Sequence, residues 1–193
     1  MSRSRSLIFG VGVNDDKNVT GKLINGKLVQ CPFYRKWCDM LARCYAHSYK
    51  KSKPSYDGCR VIEQWLKFSN FKAWMEQQDW EGKELDKDLL KKGNKIYSPE
   101  TCVFVCRTIN SFLIRSESSE DMKKTGVYAH KTCARFSAKC KNPLTKKLEY
   151  IGCFSTPEDA HAAWKKRKHE LACQLADLQT DERVANALRT RYL

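Results

Sequence analysis

The sequence predicts an α+β fold in two parts: a helix-rich N-terminal domain, and a C-terminal module in which a small three-stranded antiparallel sheet packs on a helix. Three observations carry this. Before residue 115 the large apolar residues recur at helical spacing. Residues 115–126, "RSESSEDMKKTG", are polar and serine-rich and show no period. After them the pattern alternates with a period of two, the mark of half-buried strands. The expected division is therefore a domain over 1–115, a linker over 116–125, and a second domain over 126–193.

In chain order, "PFYRKWCDMLARCYA" aligns Phe33, Trp37, Leu41 and Tyr45 on one helical stripe, with Met40 and Cys44 alongside. "HSYKKSKPSYDG" reads as a basic loop, and "CRVI" as a short strand. "EQWLKFSNFKAWMEQ" reads as a second helix, with Trp65, Phe68, Lys72 and Met75 on its stripe. "CVFV" is a buried strand and "RTINSFLI" a short helix. Beyond the linker, "GVYAH", "CARFSAKCK" and "LEYIGCF" are three strands, the last two joined by the turn "NPLTKK". On the middle strand Arg135, Ser137, Lys139 and Lys141 point one way and Phe136, Ala138 and Cys140 the other. A long helix opens with Thr156 as N-cap, Pro157 at N1, and Glu158 and Asp159 in the first turn. Its apolar stripe is Ala160, Ala163, Trp164, Leu171 and Leu175, with Lys165, Lys166 and Lys168 pointing elsewhere. A closing helix, "TDERVANALRTRYL", is expected to be capped by Thr180.

Composition narrows the function. Thirty-six Lys and Arg against 22 Asp and Glu leave a net charge of +14, a surplus that suits a polyanionic partner. It is concentrated: residues 123–169 hold twelve Lys/Arg and three Asp/Glu. No run of about 18 apolar residues suggests a membrane-spanning helix, and "MSRSRSLIFGVGV" offers no secretory core. The ten cysteines include no Cys-x-x-Cys pair. Their closest spacings are Cys38 with Cys44, Cys102 with Cys106, and Cys133 with Cys140. Only Cys102 and Cys106 come within the usual spacing of zinc ligands, and they flank the strand-like "VFV", where free cysteines are commonly buried, so reduced thiols and no zinc are expected.

A basic outer sheet face backed by a helix suits the major groove of DNA. "GVYAHKTCARFSAKCK…LEYIGCFSTPEDAHAAWKKRK" resembles, over about residues 125–175, the DNA-binding domain of the Apetala/ethylene-response-factor type. Carried over by position, that resemblance implies DNA contacts by Tyr128, His130, Arg135, Ser137, Lys139, Lys141 and Tyr150. This chain departs from the plant members, which place arginines where it has Tyr128 and His130 and an acidic residue where it has Lys139. Arg135 remains the expected bidentate reader of guanine. Lys139, Lys141, Lys146 and Lys147 suit phosphates, which position a protein without specifying sequence.

The second motif is "ELDKDLLKKGNKIYSPETCVFVCRTIN", residues 84–110. It resembles the HNH (ββα-metal) nucleases of phage and mobile-element homing proteins: a strand ending in Asp-His, a Gly-Asn turn, a Pro-Glu strand, and an Asn on the following helix. The resemblance implies a ββα-metal-like motif at the end of the first domain, with Asp86 and Asn110 holding Mg²⁺ or Mn²⁺. Lys87 stands in the place of the general-base histidine. A lysine is almost wholly protonated at neutral pH, so the expectation divides. Either a metal-bound water supplies hydroxide and the chain nicks or cleaves DNA slowly, or it is a catalytically inactive repressor or site blocker on the same scaffold. Double-stranded DNA is the expected partner and RNA is not. A phage-encoded chain of this kind would work in the cytoplasm of its host cell.

Overall fold

The computed structural model describes residues 7–16, 20–114, 125–130 and 134–193. The expected linker 116–125 lies outside these except for Thr125, as does Cys133. The fold is α+β, with six α-helices and several small sheets among the described residues. The chain forms two compact units, Met1–Phe104 and Val105–Leu193.

The first unit opens with a hairpin of β1 (Gly21–Ile24) and β2 (Lys27–Gln30), paired antiparallel. Asn25 and Gly26, at φ 50° and 74°, form the two-residue turn that the right-handed twist of a hairpin favours. Helix α1 (Pro32–Tyr45) starts on a proline and buries Trp37, Met40, Leu41 and Cys44, while Phe33 and Tyr45 of the expected stripe are partly buried against the core. The basic stretch after it is a short helix α2 (His47–Ser52) and a 3₁₀ turn (Pro54–Tyr56), not an open loop. β3 (Arg60–Val61) then pairs in parallel with β5 (Ile96–Tyr97).

The second expected helix is broken. Glu63–Leu66 is a 3₁₀ turn and only Phe68–Met75 is α-helical, as α3. Lys67 is extended because its backbone bridges to Val13: Val13 N–H donates to Leu66 O at 2.8 Å, and Phe68 N–H to Val13 O at 3.0 Å. The break rotates the stripe. Phe71 is buried with Trp65, Phe68 and Met75, and Lys72 turns out to pair with Asp16 at 2.9 Å. Trp37 Nε1–H donates to Trp65 O at 2.7 Å, fixing α1 to the turn. Gly12 lets the N-terminal segment run against this core, because a Cβ there would lie 2.4 Å from Leu41 Cδ1. β4 (Glu84–Asp86) and β6 (Val103–Val105) complete the strands.

The second unit holds α4 (Arg107–Ile114), strands β7 (Val127–Ala129), β8 (Phe136–Lys141) and β9 (Leu148–Phe154), and helices α5 (Pro157–Ala176) and α6 (Glu182–Thr190). The division thus falls ahead of α4 rather than at the serine-rich stretch. α4 buries Ile109, Phe112 and Leu113, and the Phe112 ring meets Tyr192 edge-on at 5.8 Å. The sheet order is β7-β8-β9, antiparallel, with a bulge in β9 opposite Ala138 and Lys139. α5 packs across the inner face, over Ala138 and Cys140. Thr156 caps α5 as expected, its Oγ1 accepting from Asp159 N–H at 3.1 Å. Arg167 ties α5 to β9 through Glu149 at 2.9 Å.

Two expectations are corrected here. α6 is capped by Asp181, whose Oδ1 accepts from Arg183 N–H at 2.9 Å, not by Thr180. Lys168 does not point away from the core. It is 5% exposed, and its Nζ donates to Phe112 O at 2.9 Å.

Candidate nucleic-acid interface

Strand register builds the outer face of the three-stranded sheet. Directly opposed residues in an antiparallel pair share a face, so Tyr128, Ser137 and Cys153 form one cross-strand row, Lys139 and Tyr150 the next, and Lys141 and Leu148 the third. His130 and Arg135 close one end, where His130 N–H donates to Arg135 O at 2.9 Å. The structure therefore brings together Tyr128, His130, Arg135, Ser137, Lys139, Lys141 and Tyr150. Lys146 and Lys147 lie in the β8–β9 turn at the opposite end, both exposed.

The side chains on this face differ in availability. Tyr128 and Tyr150 are 49% and 61% exposed, and Lys139 Nζ stands 5.3 Å from the Tyr128 ring centroid, a cation–π distance. Arg135 is exposed, with Nη2 at 3.4 Å from Cys153 O, a long bond that a stronger acceptor displaces easily. Ser137 is different. It is 5% exposed and its hydroxyl donates to Tyr128 O at 3.3 Å. Flanking strands shield it, so it braces the sheet more than it offers a contact.

The segment over 84–110 belongs mostly to the first unit, and the stretch that follows β4 is built as a turn. Asp86 ends β4, and its Oδ1 accepts from both Asp88 N–H and Leu89 N–H at 2.7 Å. Burial pushes its carboxyl above the ordinary value, opposed by those two N–H groups. Lys87 is 4% exposed. Its Nζ donates to Asp88 Oδ2 at 2.6 Å and Asn94 O at 2.8 Å, and lies 5.6 Å from the Tyr56 ring centroid. Asn94 from the Gly-Asn turn returns the contact, donating through Nδ2 to Lys87 O at 2.9 Å and Ile96 O at 2.6 Å. Lys92 and Lys95 flank the Gly-Asn turn. Both are exposed, and Lys95 Nζ donates to Ser55 O.

Asn110 sits on α4, in the second unit, and Asp86 belongs to the first. Among the described residues no group of three or more His, Cys, Asp or Glu is placed to hold a metal ion. Asp86 serves as a turn anchor beside a buried ammonium, an arrangement that does not build a cage for Mg²⁺ or Mn²⁺. Burial also keeps the Cys44 and Cys102 thiols protonated, each pushed up to about 12.

The sequence reading passed over residues that the structure makes prominent. Arg43 from α1 donates to Leu85 O at 3.2 Å and stands over the same Tyr56 ring as Lys87, with Tyr97 beside them. Burial raises the phenol pKa values of Tyr56 and Tyr97. Nothing in the local pattern marks Arg43, because its partners are about 13 to 54 residues away. Lys168 was legible: it follows Trp164 by four and precedes Leu171 by three, the spacing of the stripe itself. Compared with known proteins, the chain matches no family model, no curated protein and no solved structure.

Proposed function

We propose that the chain binds double-stranded DNA through the outer face of its three-stranded sheet. The observation that supports this reading is the register, which gathers Arg135, Lys139 and Lys141 with Tyr128 and Tyr150 on one exposed side of a twisted sheet. The opposite side is filled by α5. A two- or three-stranded ribbon of this width enters the major groove. Lys139, Lys141, Lys146 and Lys147 engage phosphates there, Arg135 reads a base edge, and the tyrosines pack on sugars or base faces.

In this reading the segment over 84–110 is a structural relic of nuclease type, and the protein acts as a repressor or site blocker. The locked state of Lys87 favours it: an ammonium held by Asp88 and Asn94 O is not available as a base. A second reading, metal-dependent nicking in the manner of a homing endonuclease, draws support from the pairing of β4 with β6, the helix α4 that follows, and Asp86 at the end of β4.

Selection of a preferred duplex from a random pool, followed by titration of the full chain and its variants, tests the proposal. Arg135→Ala is expected to lower affinity for the selected site by about 1–3 kcal/mol and to relax preference at one base pair. Lys139→Ala is expected to weaken all duplexes alike. Equal loss of affinity on all sequences for both variants removes base reading by Arg135.

A further inference from the structure

We infer that a cavity in the second unit, between the first turn of α4, the β8–β9 turn and α5, is a binding pocket for a phosphoryl group. Its volume is about 480 Å³, within the range of small-ligand sites. Arg107, Thr108, Ser111, Lys141, Lys146 and Lys168 line it, and no carboxylate does. Four cationic side chains around one hollow repel one another, and a bound anion relieves that repulsion.

The geometry suits phosphate more than a carboxylate. Lys168 is on the buried side, 5% exposed, its Nζ 2.9 Å from Phe112 O and 3.4 Å from the Phe112 ring centroid. A charge so far out of water acts on a ligand at low dielectric. Arg107, Lys141 and Lys146 are exposed. Among the described residues none of these three has a carboxylate partner. Thr108 and Ser111 add hydroxyl donors, and the positive end of the α4 dipole adds to the field. Multiple cations, hydroxyls and a helix start match a group with several charged oxygens.

The turn that carries Lys146 is braced. Asn142 Oδ1 accepts from Leu144 N–H at 2.8 Å and Thr145 N–H at 3.1 Å, and its Nδ2 donates to Glu149 Oε1 at 2.7 Å. Lys146 then takes a left-handed backbone, φ 61°, a conformation that a lysine adopts at a cost. Glu149 is occupied by Arg167 and Asn142, which hold its carboxyl below the ordinary range.

The phosphoryl group has two sources, a phosphodiester of DNA lying on the sheet or the phosphate of a free nucleotide. Lys141 belongs to both the outer face and the pocket, so a strand crossing the sheet reaches it; that source rests on the DNA reading. The test uses the full chain and Arg107→Gln, an exposed position on α4 outside the sheet, with Lys146→Gln as a second variant. Duplex binding is measured against salt, and inorganic phosphate and adenosine monophosphate are titrated by calorimetry.

If the source is DNA, Arg107→Gln lowers the slope of log affinity against log salt by about one unit. If the source is a free nucleotide, adenosine monophosphate saturates the wild type, and each variant weakens it about tenfold. Either result supports the pocket. An unchanged slope in Arg107→Gln, together with no saturable binding of phosphate or the nucleotide, overturns it. A wild type that binds no duplex removes the DNA reading alone, and the two small-molecule titrations then decide the pocket by themselves.

Discussion

Lys87 shows how one side chain separates spelling from role. The resemblance to an HNH pattern implies a general-base position for it, yet its ammonium is held by Asp88 and Asn94 O beneath the Tyr56 ring. Lys87→Met is expected to destabilise the first unit by about 1–3 kcal/mol, the cost of leaving buried acceptors unmatched. Duplex affinity is expected to stay within twofold, as read by chemical denaturation and a binding titration side by side. Lys87→His is expected to produce no nick in supercoiled DNA with Mg²⁺ or Mn²⁺. Acceleration of nicking by that variant transfers support to the endonuclease reading.

Asp86 gives a pH test with a definite sign. Its folded pKa is raised by burial, so the folded state holds the proton more tightly than the unfolded chain, and stability falls as pH rises from the ordinary carboxyl value of 3.8 through the folded pKa. Asp86→Asn keeps an oxygen for the Asp88 and Leu89 N–H groups and removes the charge. It is expected to be at least as stable as the wild type at pH 7, with the difference shrinking toward pH 4. Asp86→Ala, which removes the anchor, is expected to lose about 0.5–2 kcal/mol. A wild type that gains stability on Asp86 over this pH interval contradicts the desolvated carboxylate.

At the scale of elements, legibility followed the range of the forces. Helix α5 was readable from one cap and one stripe, and both Thr156 and Trp164 serve as the pattern says. Strands β8 and β9 were readable from alternation, and α4 from its apolar spacing. The β1–β2 hairpin was equally signalled, by Asn25-Gly26, and was passed over because its flanks carry little apolar alternation. The break ahead of α3 was not legible, since it depends on a bridge to Val13, distant in sequence. The same holds for the polar contacts of Lys87 and Arg43. Gly126 shows an element held by a single absent atom group: at φ 77°, a Cβ there would lie 2.0 Å from Trp164 Cδ1. Gly126→Ala is expected to destabilise the second unit by about 2–4 kcal/mol, combining backbone and overpacking costs. A melting temperature within a degree of wild type contradicts that contact.

For the whole molecule, charge and face act together. A net +14 suits a polyanionic partner without choosing one, and the outer sheet face, basic but carrying two exposed tyrosines, makes the choice a physical question. Bases stacked on Tyr128 and Tyr150 favour a single strand; a regular row of Arg135, Lys139 and Lys141 favours a duplex groove. The register spaces these residues along adjacent strands of a sheet backed by α5, an arrangement that suits the duplex. No helix among the described residues is long and apolar enough to cross a membrane.

The most direct measurement is therefore a competition at equal salt, in which labelled duplex DNA bound to the full chain is displaced by unlabelled duplex, single-stranded DNA or single-stranded RNA of one sequence. It is repeated with Lys139 and Lys141 both changed to Glu. The predicted result is displacement by duplex at the lowest concentration, and at least a tenfold loss of duplex affinity in the double variant through lost phosphate contacts. Tighter binding of single-stranded RNA, or a double variant that holds duplex as well as the wild type, contradicts the account.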